Sequence, residues 1–294
     1  GRPLLDSLVA LALLAAQAAL LIALALRAPG GLRGRAGWSL GFALLILHPG
    51  HLVNLQWGWQ VAVFIGTLFG VVIPLWLLAV ARLGAARTLL ALLSAMVGVA
   101  AFSTTLAMFP VAIVLLTLRR DAGVRERLWH AAAWAVALGA LASWLAAERN
   151  GGQLAPPATL LAYTLNYLGG GVLRFAEDVA PAWAALALLV GAVTAARAWR
   201  DAAALPWIGL MLFAIGAALL TALGRAGEFG AGHAFVTRYV SFSSLFWLGW
   251  LGLLWVAFRE RRAWRRGMAA LAALTVVLAA ANGVHLVKKA RTVE

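Results

Sequence analysis

The chain has 294 residues, 64% hydrophobic and only 12% charged, with a mean hydropathy of +0.92; soluble domains carry ~25% charged residues, so a water-soluble core is excluded. Lysine and arginine number 24 against 10 aspartate and glutamate, a formal net charge of +14, but the arginines sit in short gaps between apolar runs, which directs them to lipid phosphates and not to nucleic acid. There is no cysteine, which excludes disulfides, thiolate metal sites and a cysteine nucleophile.

A membrane-spanning helix needs ~20 apolar residues, fewer where neighbours bury it. Cutting the chain at its charged and Pro/Gly-rich breaks predicts an all-α, polytopic integral membrane bundle of about ten transmembrane helices, forming one domain over 1–294. The expected spans are 5–27, 37–50, 60–82, 87–103, 106–118, 128–148, 181–199, 205–224, 239–258 and 266–287, the second, fourth and fifth being short. Arginines alternate between the gaps as short cytoplasmic loops require: Arg33 and Arg35 follow the first span, Arg82 and Arg87 the third, Arg119, Arg120, Arg125 and Arg127 the fifth. Arg197 and Arg200 follow the seventh, and Arg259 to Arg266 the ninth. Both chain ends are thereby placed outside, and an external start at Gly1 without a signal peptide leads to the expectation of one further span upstream.

Polar residues gather in the gaps of the opposite, outer face, where a membrane protein places a site or pathway. The first cluster, His48 to Gln60, mixes imidazoles, amides and indoles without a charge. Asn54, Gln56 and Gln60 offer donors and acceptors for a hydroxylated ligand, with Gln56 and Gln60 on one face if a single helix carries both. Trp57 and Trp59 suit interfacial anchoring as well as ligand packing. His48 and His51, without a carboxylate beside them, are a weak metal signal, so no metal is expected.

The segment Ser103 to Pro110 breaks two half-length helices at the same face, a break tolerated where it lines a cavity. The long outer loop 149–180 contains an apolar stretch, Thr159 to Val172, too short to span; it reads as an interfacial or re-entrant helix, either a lid or a passive element on the head groups. The last cluster runs from Gly224 to Tyr239. Arg225 and Arg238 stand there at the outer ends of consecutive helices, where the positive-inside bias disfavours them, and a guanidinium fork matches phosphate. Glu228 and His233 lie among glycines that permit close approach of a ligand. Alternatively, Arg225 pairs with Glu228 and Arg238 snorkels to head groups. A transporter would carry an inverted repeat and midplane charges, and neither is present.

Asn54-Leu55-Gln56-Trp57-Gly58-Trp59-Gln60, Gly224-Arg225, Arg238-Tyr239, the Leu165 to Gly170 stretch and Ser103 to Pro110 together resemble a large family of bacterial multispanning proteins similar to the GT-C superfamily of membrane glycosyltransferases. The resemblance covers nearly the whole chain and corresponds to the family's downstream part; the first span and the acidic first external loop would lie upstream. Val53 stands where the family pattern has an acidic residue. The resemblance implies a protein of the bacterial cytoplasmic (inner) membrane that transfers a sugar from a polyprenyl-phosphate-linked donor at the external face. Arg225 and Arg238 would hold the donor phosphate, Asn54, Gln56, Trp57 and Gln60 would line the sugar or acceptor site with Tyr239 and His233 nearby, and Glu228 is the one candidate base. A non-catalytic integral subunit among partner membrane subunits is the other expectation.

Overall fold

The computed structural model describes residues 3–27, 41–48, 51–56, 60–147, 154–258 and 262–291. Among them every regular element is helical. In chain order these are α1 (Pro3–Arg27), α2 (41–46), α3 (His51–Gln56), α4 (Val61–Val80), α5 (Ala85–Ala101), α6 (Met108–Leu118), α7 (Val124–Ala147), α8 (Pro157–Leu173), α9 (Ala180–Ala198), α10 (Leu205–Phe229), α11 (Val240–Phe258) and α12 (Arg262–Arg291).

Six described helices are long and apolar enough to cross a membrane: Leu4–Arg27, Val61–Val80, Ala180–Ala198, Ala202–Phe229, Thr237–Phe258 and Arg266–Lys288. The protein is therefore an integral membrane helical bundle. These six match the expected first, third and last four spans; Ala85–Ala101 and Ser103–Leu118, the expected fourth and fifth, are apolar but shorter. The sixth expected span is α7, and the second falls partly on α2 and partly outside the described residues.

The bundle is organised around α11, which is buried along nearly all of its length. Its partner is α10, brought close by glycine: a Cβ on Gly252 would collide with the Trp207 indole, and one on Gly249 would press on the Trp207 carbonyl. Small residues at such crossings let backbones approach, which in lipid replaces the missing hydrophobic drive. Gly98 of α5 meets the backbone of Gly70 of α4 in the same way. α4 is not a uniform helix, since π-helical turns occupy Leu68–Val72 and Trp76–Val80 on either side of Pro74.

The expected break lies where the sequence put it. Phe102 is extended (φ −152°, ψ 105°), Ser103–Ala107 forms a 3-10 turn, and α6 begins with Pro110 in its first turn, where a missing N–H costs nothing. The Phe102 ring lies 5.0 Å from that of Phe242 on α11, so the elbow packs beside the start of the central helix.

Most of the described loop arginines meet at the end where α1, α4 and α6 finish. Arg27 covers the Trp76 ring at 4.8 Å, and Arg120 and Arg200 share the Trp199 ring at 4.7 and 5.1 Å. Arg119, 3% exposed, donates to the carbonyls of Leu78 (2.6 Å) and Ala81 (2.9 Å) and pairs with Asp121. Arg127 donates to the Thr117 carbonyl (2.9 Å) and the Arg119 carbonyl, and Arg87 to the Arg82 carbonyl (2.8 Å). These acceptors are the unsatisfied carbonyls of helix C-termini, which carry partial negative charge.

Candidate functional site

At the opposite end, α10 stops at Gly230, whose left-handed φ of +70° makes it the one positive-φ residue described and suits glycine alone among common residues. Two 3-10 turns, Ala231–Phe235 and Thr237–Tyr239, then lead into α11. α8 is the platform for the first of these turns. Asn166 donates to the Ala231 carbonyl at 3.1 Å, and Gly170 faces Phe235.

α8 is itself seated in the bundle by its three successive glycines. Gly169 abuts the Ala180 carbonyl at the start of α9, and Gly171 lies against Ser243 and Trp247 of α11. Side chains from two other helices hold its backbone: Trp247 Nε1 donates to the Leu168 carbonyl (2.9 Å), and Asn282 of α12 to those of Gly170 (3.2 Å) and Gly171 (3.3 Å). The second half of this short helix is buried, and the glycines explain how it packs without displacing its neighbours.

The chain has three tyrosines, and all converge here. Tyr163 and Tyr167 come from α8, one turn apart; the Tyr167 ring lies tilted against that of Tyr239 at 5.0 Å, and the Tyr163 hydroxyl meets His233 Nδ1 at 3.0 Å. His233 stacks on Phe229 (4.6 Å, 22°) and meets Tyr239 edge-on at 6.0 Å. Burial pushes the Tyr163 phenol well above its ordinary range, so it is a neutral donor or acceptor. The Tyr167 hydroxyl is buried without a hydrogen-bond partner.

Both arginines border this aromatic group. Arg225, exposed on the last turns of α10, places its guanidinium carbon 5.7 Å from the Phe229 ring centre; Arg238 lies 5.2 Å from that of Tyr239. Neither meets a carboxylate or a backbone carbonyl. The Arg225–Glu228 pair is not formed, and among the described residues the one ion pair is Arg119–Asp121. Glu228 is exposed, with no hydrogen bond on its carboxylate. Its charge nonetheless reaches His233, opposing burial and the two guanidiniums, which together hold the imidazole below its ordinary pKa.

The first expected cluster lies alongside, since α3 packs against Thr237–Tyr239. Asn54 Nδ2 donates to Ser241 Oγ (3.1 Å), and Ser241 Oγ lies 2.9 Å from His51 Nδ1. The direction of the Ser241–His51 hydrogen bond follows the imidazole tautomer. Burial and nearby His48 drive the His51 pKa down to about 3, so this ring is neutral. His51 Nε2, Asn54 Oδ1 and Gln60 Oε1 are all buried and unpartnered. The two amide oxygens are acceptors, so each can take a proton from a hydroxyl group or a water.

Of the expected site residues, Arg225, Arg238, Tyr239 and His233 form one group, with Asn54 and Gln60 on the adjoining elements. Gln56 is the last described residue of α3 and Gln60 precedes α4; Trp57 and the two residues after it, on which a shared face for the two glutamines depends, lie outside the described residues. His48 donates to the Ala279 carbonyl of α12 at 2.8 Å instead of sharing a ligand with His51, and among the described residues no group of three acidic or histidine side chains is arranged for a metal. Sequence reasoning missed Tyr163, His51 and Ser241 as members of the site. The scarcity of tyrosine was a usable signal for the first; Ser241, one of many serines and threonines on apolar helices, carried none. Comparison with family models, with curated proteins and with solved structures yields no match to this chain.

Proposed function

We propose that the end of the bundle formed by α3, α8 and the α10–α11 connection binds the phosphate of a polyprenyl-phosphate-linked sugar, and that the protein is a membrane glycosyltransferase of GT-C type acting at the external face of a bacterial inner membrane. The supporting observation is the state of Arg225 and Arg238: two guanidiniums on aromatic rings, without carboxylate or carbonyl partners, where the bundle has already satisfied Arg119 and Arg127 with its own backbone. An anion is the missing partner that such a pair accepts bidentately. Asn54 and Gln60, with their free buried oxygens, supply acceptors for sugar or acceptor hydroxyls, with Gln56 and Trp57 on the same stretch. Glu228 is the candidate base. The about ten spans of the sequence reading belong to this proposal, with the arginine-rich end cytoplasmic by the positive-inside rule.

A second reading, a non-catalytic subunit of a larger membrane assembly, draws on Glu228. No hydrogen bond or ion pair positions its carboxylate, whereas a general base needs to stand within hydrogen-bond reach of the proton it removes.

The test is binding of a polyprenyl phosphate to the protein in nanodiscs, for wild type, Arg225→Ala and Arg238→Ala. A charged hydrogen bond contributes ~1.5–3 kcal/mol, so each substitution is expected to weaken binding by roughly 10–100-fold. Binding equal to wild type in both variants refutes the phosphate site.

A further inference from the structure

We propose that His233 is a third, proton-linked ligand of the same anion: phosphate binding at Arg225 and Arg238 draws a proton onto His233, so that affinity rises as pH falls. This inference rests on the phosphate reading above.

The geometry sets His233 between the two arginine-bearing rings. Arg225 covers Phe229, Phe229 stacks on His233, His233 meets Tyr239 edge-on, and Tyr239 carries Arg238. The imidazole Nδ1 is engaged by the Tyr163 hydroxyl, while Nε2 makes no hydrogen bond and the ring is partly exposed. That nitrogen is available to donate to an oxyanion.

Without an anion, two guanidiniums oppose a third positive charge, and only Glu228 favours it. A bound anion reverses the balance, since an opposite charge within ~4–6 Å raises a histidine pKa by about 1–3 units. A proton from solvent adds to Nε2, the N–H bond so formed donates to a phosphate oxygen, and Nδ1–H of the imidazolium donates to the Tyr163 hydroxyl. By linkage, affinity is lowest above the pKa of the liganded imidazole, climbs as pH falls, and levels off below the pKa of the free imidazole, itself under the usual ~6.5.

Other titratable or charged groups face this ring. Tyr163 of α8 is a neutral phenol pushed upward, and the Tyr167 and Tyr239 rings lie tilted against one another. Arg225 and Glu228 stand on the last turns of α10, and Arg238 precedes α11. His51, on the α3 helix that packs against Thr237–Tyr239, is neutral with a pKa of about 3.

The probe is a short-chain prenyl phosphodiester, a monoanion throughout the range, titrated calorimetrically into the full chain from about pH 8 to about pH 5 in buffers of different ionisation enthalpy. Wild type is expected to bind about tenfold or more tightly at the acid end and to take up protons on binding. His233→Gln should lose both the slope and the proton uptake. Glu228→Gln, which removes the charge favouring imidazolium, should move the midpoint to lower pH, an effect a merely structural histidine would not give. If wild-type affinity and proton uptake are flat while Arg225→Ala and Arg238→Ala still weaken binding, the inference fails and the phosphate site stands. If those two variants bind as wild type does, the phosphate site fails and the inference with it.

Discussion

Arg119 and Arg225 each stand near a helix end of the same bundle, and their surroundings differ in every respect that matters for an arginine. Arg119 is 3% exposed, and its guanidinium meets two backbone carbonyls of the α4 terminus and the carboxylate of Asp121. Arg225 is exposed, has its guanidinium carbon 5.7 Å from the centre of the Phe229 ring, and has an acid three residues away with which it does not pair. The first is held at the negative pole of helix C-termini, where cations belong. Arg225 also sits on the last turns of a helix, α10, whose final backbone bond runs from Gly230 N–H to the Ala226 carbonyl at 3.0 Å, but its side chain meets no carbonyl. One end of the molecule thus uses arginine to hold helices together, and the other presents it.

Substitution of the two arginines breaks this comparison or confirms it. Arg119→Ala orphans the Leu78 and Ala81 carbonyls, at ~1–3 kcal/mol for each group that stays unsatisfied, and is expected to destabilise the bundle by about 2–4 kcal/mol. Arg225→Ala should stay within about 0.5 kcal/mol of wild type, as surface changes do. Unfolding in detergent measures both, and equal losses would remove the distinction between the two ends.

Gly169→Ala sharpens the aromatic side of the comparison. The new Cβ runs into the Ala180 carbonyl, so α8 must shift, at about 1–3 kcal/mol for an overpacked site. Because Tyr163 and Tyr167 ride on α8, ligand binding should fall with it. Gly224→Ala, with open space around its Cβ, is the control expected to leave both quantities unchanged. Loss of stability without loss of binding would detach α8 from the site.

The smallest effect belongs to Asp121, whose carboxyl is held below the usual carboxylate range chiefly by its hydrogen bond to Arg119. A depressed folded-state pKa means that the stabilisation is present above the unfolded value of ~3.9 and is lost as pH falls through the folded one. The side chain is about half exposed, so solvent screening keeps the contribution under about 1 kcal/mol. An acid titration of stability should therefore show a small loss below pH ~4 in wild type that Asp121→Asn lacks. A loss of the same size in the variant would assign it to other carboxyls.

The helical bundle was legible because lipid enforces it: with no water to satisfy backbone groups, long apolar runs can only be helices. The elbow at Phe102 was readable from Pro110 and its polar neighbours. Span number was harder to read from composition, since α6 and α8 are too short to count by length and owe their burial to neighbours.

By itself the sequence determined the class of the protein, the position of most of its helices and the choice of Arg225 and Arg238 as site candidates, because hydropathy and charge act locally along the chain; that Arg225 does not pair with Glu228 came from the structure. Tertiary structure alone decided that three glycines seat α8 inside the bundle, that Tyr163 and Tyr239 border His233 with Tyr167 against Tyr239, and that Ser241 joins His51 to Asn54 across 190 and 187 residues of separation. Those contacts depend on which helix faces meet. In a membrane nearly every face is apolar, so periodicity carries little record of the choice, and packing at glycine contacts makes it.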